Sequence, residues 1–287
     1  MVKVGIIGGS GLYNIDGIEN VQEVTIFDTP FGRPSDHFTT GTLGGVEVVF
    51  LARHGRGHHI SPSEINYRAN IFEMKRLGVN AIISISACGS LREDMRPMDF
   101  VVPDQFVDRT NKARASSFFT DGIVAHVPMA DPVSPELTRV LIESAQRVGG
   151  TVHERGTYIN MEGPQFSTKA ESNLYRSWGM DIIGMTNMVE AKLAREAEIS
   201  YASLCAVTDF DCWHPDHDSV TVDMIINYLT KNVENAKKIL SFAIPAIGKI
   251  KNFSAENALQ HSIITSPKHI SEDKRAQLKI LIEKYIK

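Results

Sequence analysis

The chain has 287 residues, 43% of them apolar and 22% charged, with a formal net charge of -4, which is enough to bury a large core in one α/β domain or two small ones. That balance offers no basic face for nucleic acid or an acidic membrane, and no apolar run approaches the roughly 18–20 residues that span a bilayer. Cys88, Cys205 and Cys212 are odd in number and lack C-x-x-C spacing; buried free thiols and, with no leader pattern at the N-terminus, a cytoplasmic location are expected.

Residues 2–7 are an almost wholly apolar run ending in GGSGL, so a buried strand is expected to feed a tight glycine turn. The glycines do not fit G-x-G-x-x-G, residues 13–20 read as loop, and no GK[ST] is present. The free amides of the turn and the Ser10 hydroxyl suit an anion, although a plain tight turn accounts for the same residues. Residues 22–27, 38–43 and 46–51 read as strands, the last two joined by the hairpin signal Gly44-Gly45. Next comes RHGRGHHISPSEI, residues 53–65, the densest cluster of arginine and histidine. Arg53 offers a forked donor and His54 a donor close to neutrality, which suits a dianion; the alternative is a solvated basic loop.

A helix is expected over 64–77 and a central strand over 81–87. Its small residues Ser84, Ser86 and Ala87, with Gly89 just after, leave room for a ligand at the strand's C-terminal end, where parallel sheets bind ligands. A further strand is expected over 95–104, a polar surface excursion over 109–122, a helix over 135–148 stopped by Gly149-Gly150, and a strand over 151–160. Gly163-Pro164 turns the chain, and Ser167 or Thr168 caps a helix reaching Trp178. Phe166 either stacks on a flat ligand or anchors local core. Residues 184–213 concentrate polar chemistry: a turn, a helix of about three turns from Asn187, a strand over 200–207, and Asp209 and Asp211 just past its end. Long amphipathic patterns follow over 220–240 and 271–287, with a loop over 252–267. Without repeat or linker, the chain reads as a single α/β domain, a mixed central sheet flanked by helices, with residues 249–287 as a C-terminal helical extension.

Ser10, Arg53 with His54, Ser86 and Thr186 are four polar groups that one phosphate would gather, Thr186 standing before a helix whose first amides favour negative charge. Such donors serve an enzyme that uses phosphate as nucleophile. Asp209 and Asp211 suit glycosidic acid-base chemistry or, with His214, His217 and Asp218, a metal, though no zincin or EF-hand spacing is met. A helix starting near Asp218 or Ser219 explains those last residues without any ligand. As base readers, two aspartates favour a 6-amino purine.

IIGGSGL (6–12), ARHGRGH (52–58), SACGSLR (86–92), EGPQFSTKAES (162–172), GMT (184–186) and TDFDCW (208–213) together resemble the trimeric purine nucleoside phosphorylase family, and within it the 5'-methylthioadenosine phosphorylases. The likeness runs in order to about residue 248. It implies a nucleoside phosphorylase-like fold and phosphorolysis of 5'-methylthioadenosine to adenine and 5-methylthioribose 1-phosphate, with inversion. It implies no cofactor and no metal, inorganic phosphate being a co-substrate, and no nucleic-acid or membrane partner. By the same resemblance Ser10, Arg53, His54, Ser86 and Thr186 surround phosphate. Ala87, Phe166 and Ile183 line the sugar and base, and Met185 binds the ribose hydroxyls through its backbone. Asp209 protonates purine N7, Asp211 bonds the 6-amino group, and Thr208 stands nearby. Val220, Val222 and Ile225 meet the alkylthio group, with His58 and with His126 from a neighbouring subunit of a homotrimer or dimer of trimers. Members acting on 6-oxopurines usually carry asparagine in place of Asp209; Ser10 and Gly184 replace threonine and asparagine of other members. The competing readings are a 6-oxopurine or methylthioinosine phosphorylase, a metal-dependent nucleoside hydrolase, and a non-catalytic nucleoside-binding protein.

Overall fold

A computed structural model of the chain describes residues 1–9, 12, 15–25, 28–111, 114–215 and 222–286, the side chains of residues 222–227, 229 and 230 excepted. The apolar N-terminal run forms β1 (Lys3–Gly8), followed by β2 (Ile18–Val24), β3 (Phe38–Leu43) and β4 (Val46–Ala52). Gly44 and Gly45 join β3 to β4 with φ of 56° and 80°, the left-handed pair a two-residue hairpin requires. Then come α1 (Tyr67–Arg76), β5 (Ala81–Ser90), β6 (Phe100–Val101), β7 (Gln105–Arg109), α2 (Pro135–Arg147), β8 (Val152–His153), β9 (Thr157–Met161), α3 (Lys169–Ser177), β10 (Ile182–Gly184), α4 (Asn187–Glu196), β11 (Ser200–Asp209), α5 (Val222–Ile247) and α6 (Glu272–Ile282).

The strands form one mixed sheet along β2-β3-β4-β1-β5-β10-β9-β7, with β11, β6 and β8 branching from β5. All ten residues of β11 are buried, as expected for a strand covered on both faces. Its side chains alternate: Tyr201, Cys205 and Val207 join a core that also takes Ile71 and Met74 of α1, Val189 and Leu193 of α4, and Leu278 and Leu281 of α6. Ala202, Leu204 and Ala206 face the opposite core with Leu137 and Leu141 of α2 and Ile239 and Leu240 of α5. This is the expected mixed α/β sheet between helices. The tail contributes to it through α6, and no helix among the described residues is long and apolar enough to cross a membrane.

Several boundaries differ from the sequence expectation. In the region 95–104 the strand proper is confined to Phe100–Val101, between Met98 at φ 81° and Pro103, which lacks an N–H, and 151–160 breaks into β8 and β9. β7 falls in a stretch that the polar pattern had not marked. β2 starts earlier than expected, and residues 26 and 27 lie outside the described part. α1 begins only after Asn66, which caps it by accepting from Ala69 N, whereas Thr168 and Glu171 form the capping box of α3. β11 runs two residues further than expected, with a register irregularity between Val207 and Asp209, so Asp209 is the last residue of the strand.

What positions the site is a split in the sheet. β1 pairs with β5 in parallel up to Ile7 opposite Ser84, and β10 pairs with it antiparallel from Ile183 opposite Gly89. Between these, residues 85–88 keep a strand partner only on the β11 side. Strands that diverge at a change of partner leave a crevice beyond their ends. The loop after β4 and the turn after β10 open onto this one.

Candidate active site in the split of the sheet

Along β5, whose first five residues are buried, Ser86, Ala87 and Gly89 are partly exposed, which marks the open side of the split. Asp209 ends the adjoining β11. Its Oδ2 accepts from Thr208 Oγ1 at 2.7 Å and its Oδ1 from Asp211 N at 2.8 Å. Burial pushes its carboxyl up to about 6, more than these bonds lower it. A Cβ on Gly89 would lie 2.9 Å from Asp209 Oδ1, so the bare glycine is what gives that carboxyl its place. Asp211 turns back in the left-handed region at φ 51°, and burial raises its carboxyl also. Its Oδ2 is buried without a hydrogen bond of good geometry among the described residues, although the Ser172 and Ser167 hydroxyls stand close enough to oppose the rise. The turn is held by Trp213, whose Nε1 donates to Ser90 O at 2.8 Å.

Across the split, Arg53 is only 3% exposed. Its Nε lies 2.5 Å from Glu190 Oε1, Nη1 donates to Ile85 O at 3.1 Å, and Nη2 donates to Ser84 Oγ at 2.6 Å. Burial alone would lower its pKa; Glu190 more than offsets this and holds the guanidinium above its ordinary range. Its fork is thus directed at groups of the chain itself. His54 follows it, with Nδ1 2.8 Å from Ile60 O and its ring stacked on His58 at 4.2 Å. Burial, helped by Arg53, brings the His54 imidazole down to about 4, so near neutrality it is uncharged. A carbonyl can only accept; Nδ1 therefore carries the hydrogen and Nε2 is left as an acceptor. Thr186, buried at the start of α4, donates to Asn187 Oδ1 at 3.1 Å, and Ser86 Oγ lies 3.6 Å from Cys205 Sγ.

The remaining expected residues are placed as follows. Met185 is half-buried against the Gly163 backbone, where a Cβ would meet its Sδ. Ile183 is buried in a small cluster with Leu91, Ile159 and Tyr175, and Phe166 is 45% exposed on its loop. Thr208 spends its hydroxyl on Asp209. His126 is exposed on the bridge between Ala125 and Ile263, bonded through its N to Ser262 O at 2.8 Å. Ser10, Val220, His217 and Asp218 lie outside the described residues, as do the side chains of Val222 and Ile225. His214 pairs with Glu93 Oε1 at 3.0 Å, and the described residues hold no cluster of three metal-type ligands.

The split thus gathers a raised carboxyl, a second carboxyl with an unused oxygen, a buried cation and a neutral imidazole around one strand end. The phosphorylase superfamily pattern matches residues 3–245. The chain belongs to the phosphorylase superfamily. It is 55% identical to the S-methyl-5'-thioadenosine phosphorylase of Koribacter versatilis, over 99% of this chain and 96% of that one. It is 53% identical to the protein of the same name from Geobacter sulfurreducens, over 99% of each. Among solved structures, a methylthioadenosine phosphorylase from an Antarctic soil metagenomic library superposes with a TM-score of 0.93 at 48% identity, covering 98% of this chain and 99% of that one.

Within this phosphorylase, the residues that sequence reasoning missed are the ones holding the site groups in place. Glu190 accepts from Arg53, Ser84 and Tyr201. Arg114 and Glu162 connect three loops around the split. A glutamate between Val189 and Ala191, on the side of α4 that also carries Leu193 and Ala194, was the available signal for Glu190. Arg114 gave none, lying in a polar excursion without periodicity.

Proposed function

We propose that the chain cleaves the N-glycosidic bond of 5'-methylthioadenosine with inorganic phosphate, releasing adenine and 5-methylthioribose 1-phosphate. The observation that carries this reading is the Asp209 carboxyl, raised to about 6 at the end of β11, a value suited to donating a proton near neutrality. Its relatives named as S-methyl-5'-thioadenosine phosphorylases support the substrate.

In the proposed reaction a phosphate oxygen attacks the sugar anomeric carbon from the face opposite the base, and the bond to N9 breaks with its electron pair passing to the purine. Asp209 delivers a proton to N7, neutralising that charge, and regains one from solvent. Asp211 takes the 6-amino group with its unpartnered oxygen. Ser10, His54, Ser86 and Thr186 hold phosphate. Arg53 contributes through its positive charge, and His54 through Nε2, which accepts from the hydroxyl of monoprotonated phosphate. Ala87, Phe166, Ile183 and Met185 line the sugar and base with Thr208 behind them; Val220, Val222, Ile225 and His58 close the alkylthio end. No cofactor or metal is required. The protein acts in the cytoplasm as a homotrimer or dimer of trimers in which His126 enters a neighbour's site. Exposed Val124 and Ile264 beside His126 support that contact.

Adenine release from 5'-methylthioadenosine, followed with and without phosphate and with a chelator, tests the proposal. Phosphate-dependent, chelator-insensitive release is expected. Phosphate-independent release would assign a hydrolase, and tight binding without release a non-catalytic nucleoside-binding protein. Inosine and methylthioinosine in the same assay measure the 6-oxo alternative.

A further inference from the structure

Arg114 lies in the surface excursion between β7 and α2, yet its side chain is only 1% exposed. Each of its three nitrogens meets groups of the chain. Nε donates to Glu162 Oε1 at 2.9 Å, Nη2 to Glu162 O, and Nη1 to Met185 O at 2.5 Å and Tyr67 Oη at 3.3 Å. Glu162 in turn accepts from Ser63 Oγ and from Asn111 N. One guanidinium therefore joins the loop carrying Ser63, the loop carrying Phe166 and the turn carrying Met185. Met185 also packs on Gly163 beside Glu162, so the contact between the last two is both polar and steric.

We propose that Arg114 is a positioning residue for the nucleoside: by fixing the Met185 carbonyl to the Glu162 turn, it sets the spacing of the two walls between which sugar and base lie. This rests on the phosphorylase reading above. The fork is what the role demands. Two backbone carbonyls and a carboxylate on different loops are spanned by a planar guanidinium with several fixed donors, which an ammonium on a flexible stem does not reproduce. The groups assigned to phosphate in that reading, Thr186, Ser86 and His54, take no hydrogen bond from Arg114, whose charge is only the smallest of the influences on His54.

The test compares Arg114→Lys, Arg114→Ala and Glu162→Gln with the parent chain. Three quantities are measured: the calorimetric Kd for 5'-methylthioadenosine without phosphate, the KM values for nucleoside and phosphate, and the thermal midpoint. Removing a charge-assisted bond to Met185 O is expected to raise nucleoside Kd and KM about tenfold or more, with phosphate KM changing less than about threefold. Arg114→Lys is expected to stay close to Arg114→Ala, Glu162→Gln to fall between them and the parent, and added methylguanidine to restore nucleoside affinity in Arg114→Ala. Nucleoside Kd within about twofold of the parent, with only the thermal midpoint lowered, would reduce Arg114 to a purely structural role and overturn the proposal. Equal rises in both KM values would overturn it also. If Arg114→Ala does not fold, Arg114→Lys and Glu162→Gln decide. Should the parent chain bind the nucleoside without turnover, the phosphorylase reading fails while the Kd comparison still judges Arg114.

Discussion

Arg53 and Glu190, 137 positions apart in sequence, meet at 2.5 Å with both residues no more than 3% exposed. The pair sits where β5 loses β1 as a partner, and Arg53 serves Ile85 O just beyond the last β1 contact. Removing one member leaves a buried charge uncompensated. Arg53→Ala should lower stability by about 3–5 kcal/mol and raise the phosphate KM, since Glu190 then repels the dianion. Glu190→Gln should also destabilise, but it leaves an unbalanced cation beside the proposed phosphate groups and should lower the phosphate KM. Urea denaturation and phosphate saturation curves on both variants check this. Phosphate KM values moving the same way would show that Arg53 acts on phosphate through fold alone. Arg53→Met combined with Glu190→Leu should cost less stability than the two single losses added, because the charges leave together.

The raised Asp209 carboxyl links activity and stability with opposite signs. Asp209→Asn should lower kcat by about 10²–10⁴-fold with a smaller change in KM, and in the parent kcat/KM should fall as pH rises through about 6, as the acid form is depleted. For stability, the native state binds the proton more tightly than the unfolded chain, between the ordinary value of 3.8 and about 6. Its contribution is therefore present at low pH and is lost as pH rises through that window. Asp209→Asn should be more stable than the parent by up to about 3 kcal/mol above pH 6, the gain vanishing near pH 4. Thermal midpoints at several pH values, alongside kcat, test it. An unchanged kcat would remove Asp209 from the role of acid.

His54 shows the reverse linkage. Burial and Arg53 bring it from 6.5 to about 4, so the unfolded chain takes up a proton that the native state refuses. Stability is lost as pH falls from 6.5 towards 4. His54→Gln should flatten that loss: the urea midpoint of the parent should drop more between pH 7.5 and 5 than that of the variant. Its phosphate KM should rise, and the parent's kcat/KM for phosphate should show no transition belonging to His54 between pH 5 and 8. A His54→Gln midpoint that drops as much as the parent's between the two pH values would contradict the neutral imidazole, the opposing Asp209 contribution being common to both chains.

Much of this arrangement was legible in the sequence, because period and turn chemistry are local. β1, the β3–β4 hairpin, α2, α4 and α6 follow from apolar spacing and from glycine, proline and capping residues, and the small residues of β5 marked the open strand end. What was not legible is long-range. That β5 changes partners between Ser84 and Gly89 is a fact of topology, and no spacing in residues 81–90 encodes it. The inward direction of the Arg53 fork depends on Glu190, which arrives from α4. The turn at Asp211, with φ 51°, makes it fold back on Asp209 instead of continuing the strand, and nothing in the spacing of two carboxyls around Phe210 decides between an extended stretch and such a turn.

The last prediction concerns assembly. Ala125 bridges Ile263, and this edge exposes Val124 at 43% and Ile264 at 62% beside His126. Apolar side chains of that exposure flanking the proposed His126 contact fit a subunit interface better than a solvated edge. If the chain assembles as the proposed trimer through this edge, Ile264→Lys should shift the mass in solution towards monomer, because a lysine buried at an apolar interface costs its solvation. If His126 completes a neighbour's pocket, the same variant should raise the KM for 5'-methylthioadenosine while adenine affinity changes little, since only the 5' end of the nucleoside loses a wall. His126→Ala should raise that KM without altering the mass. Light scattering with parallel kinetics distinguishes the cases. A monomeric variant with the parent's nucleoside KM would mean that each chain carries a complete site.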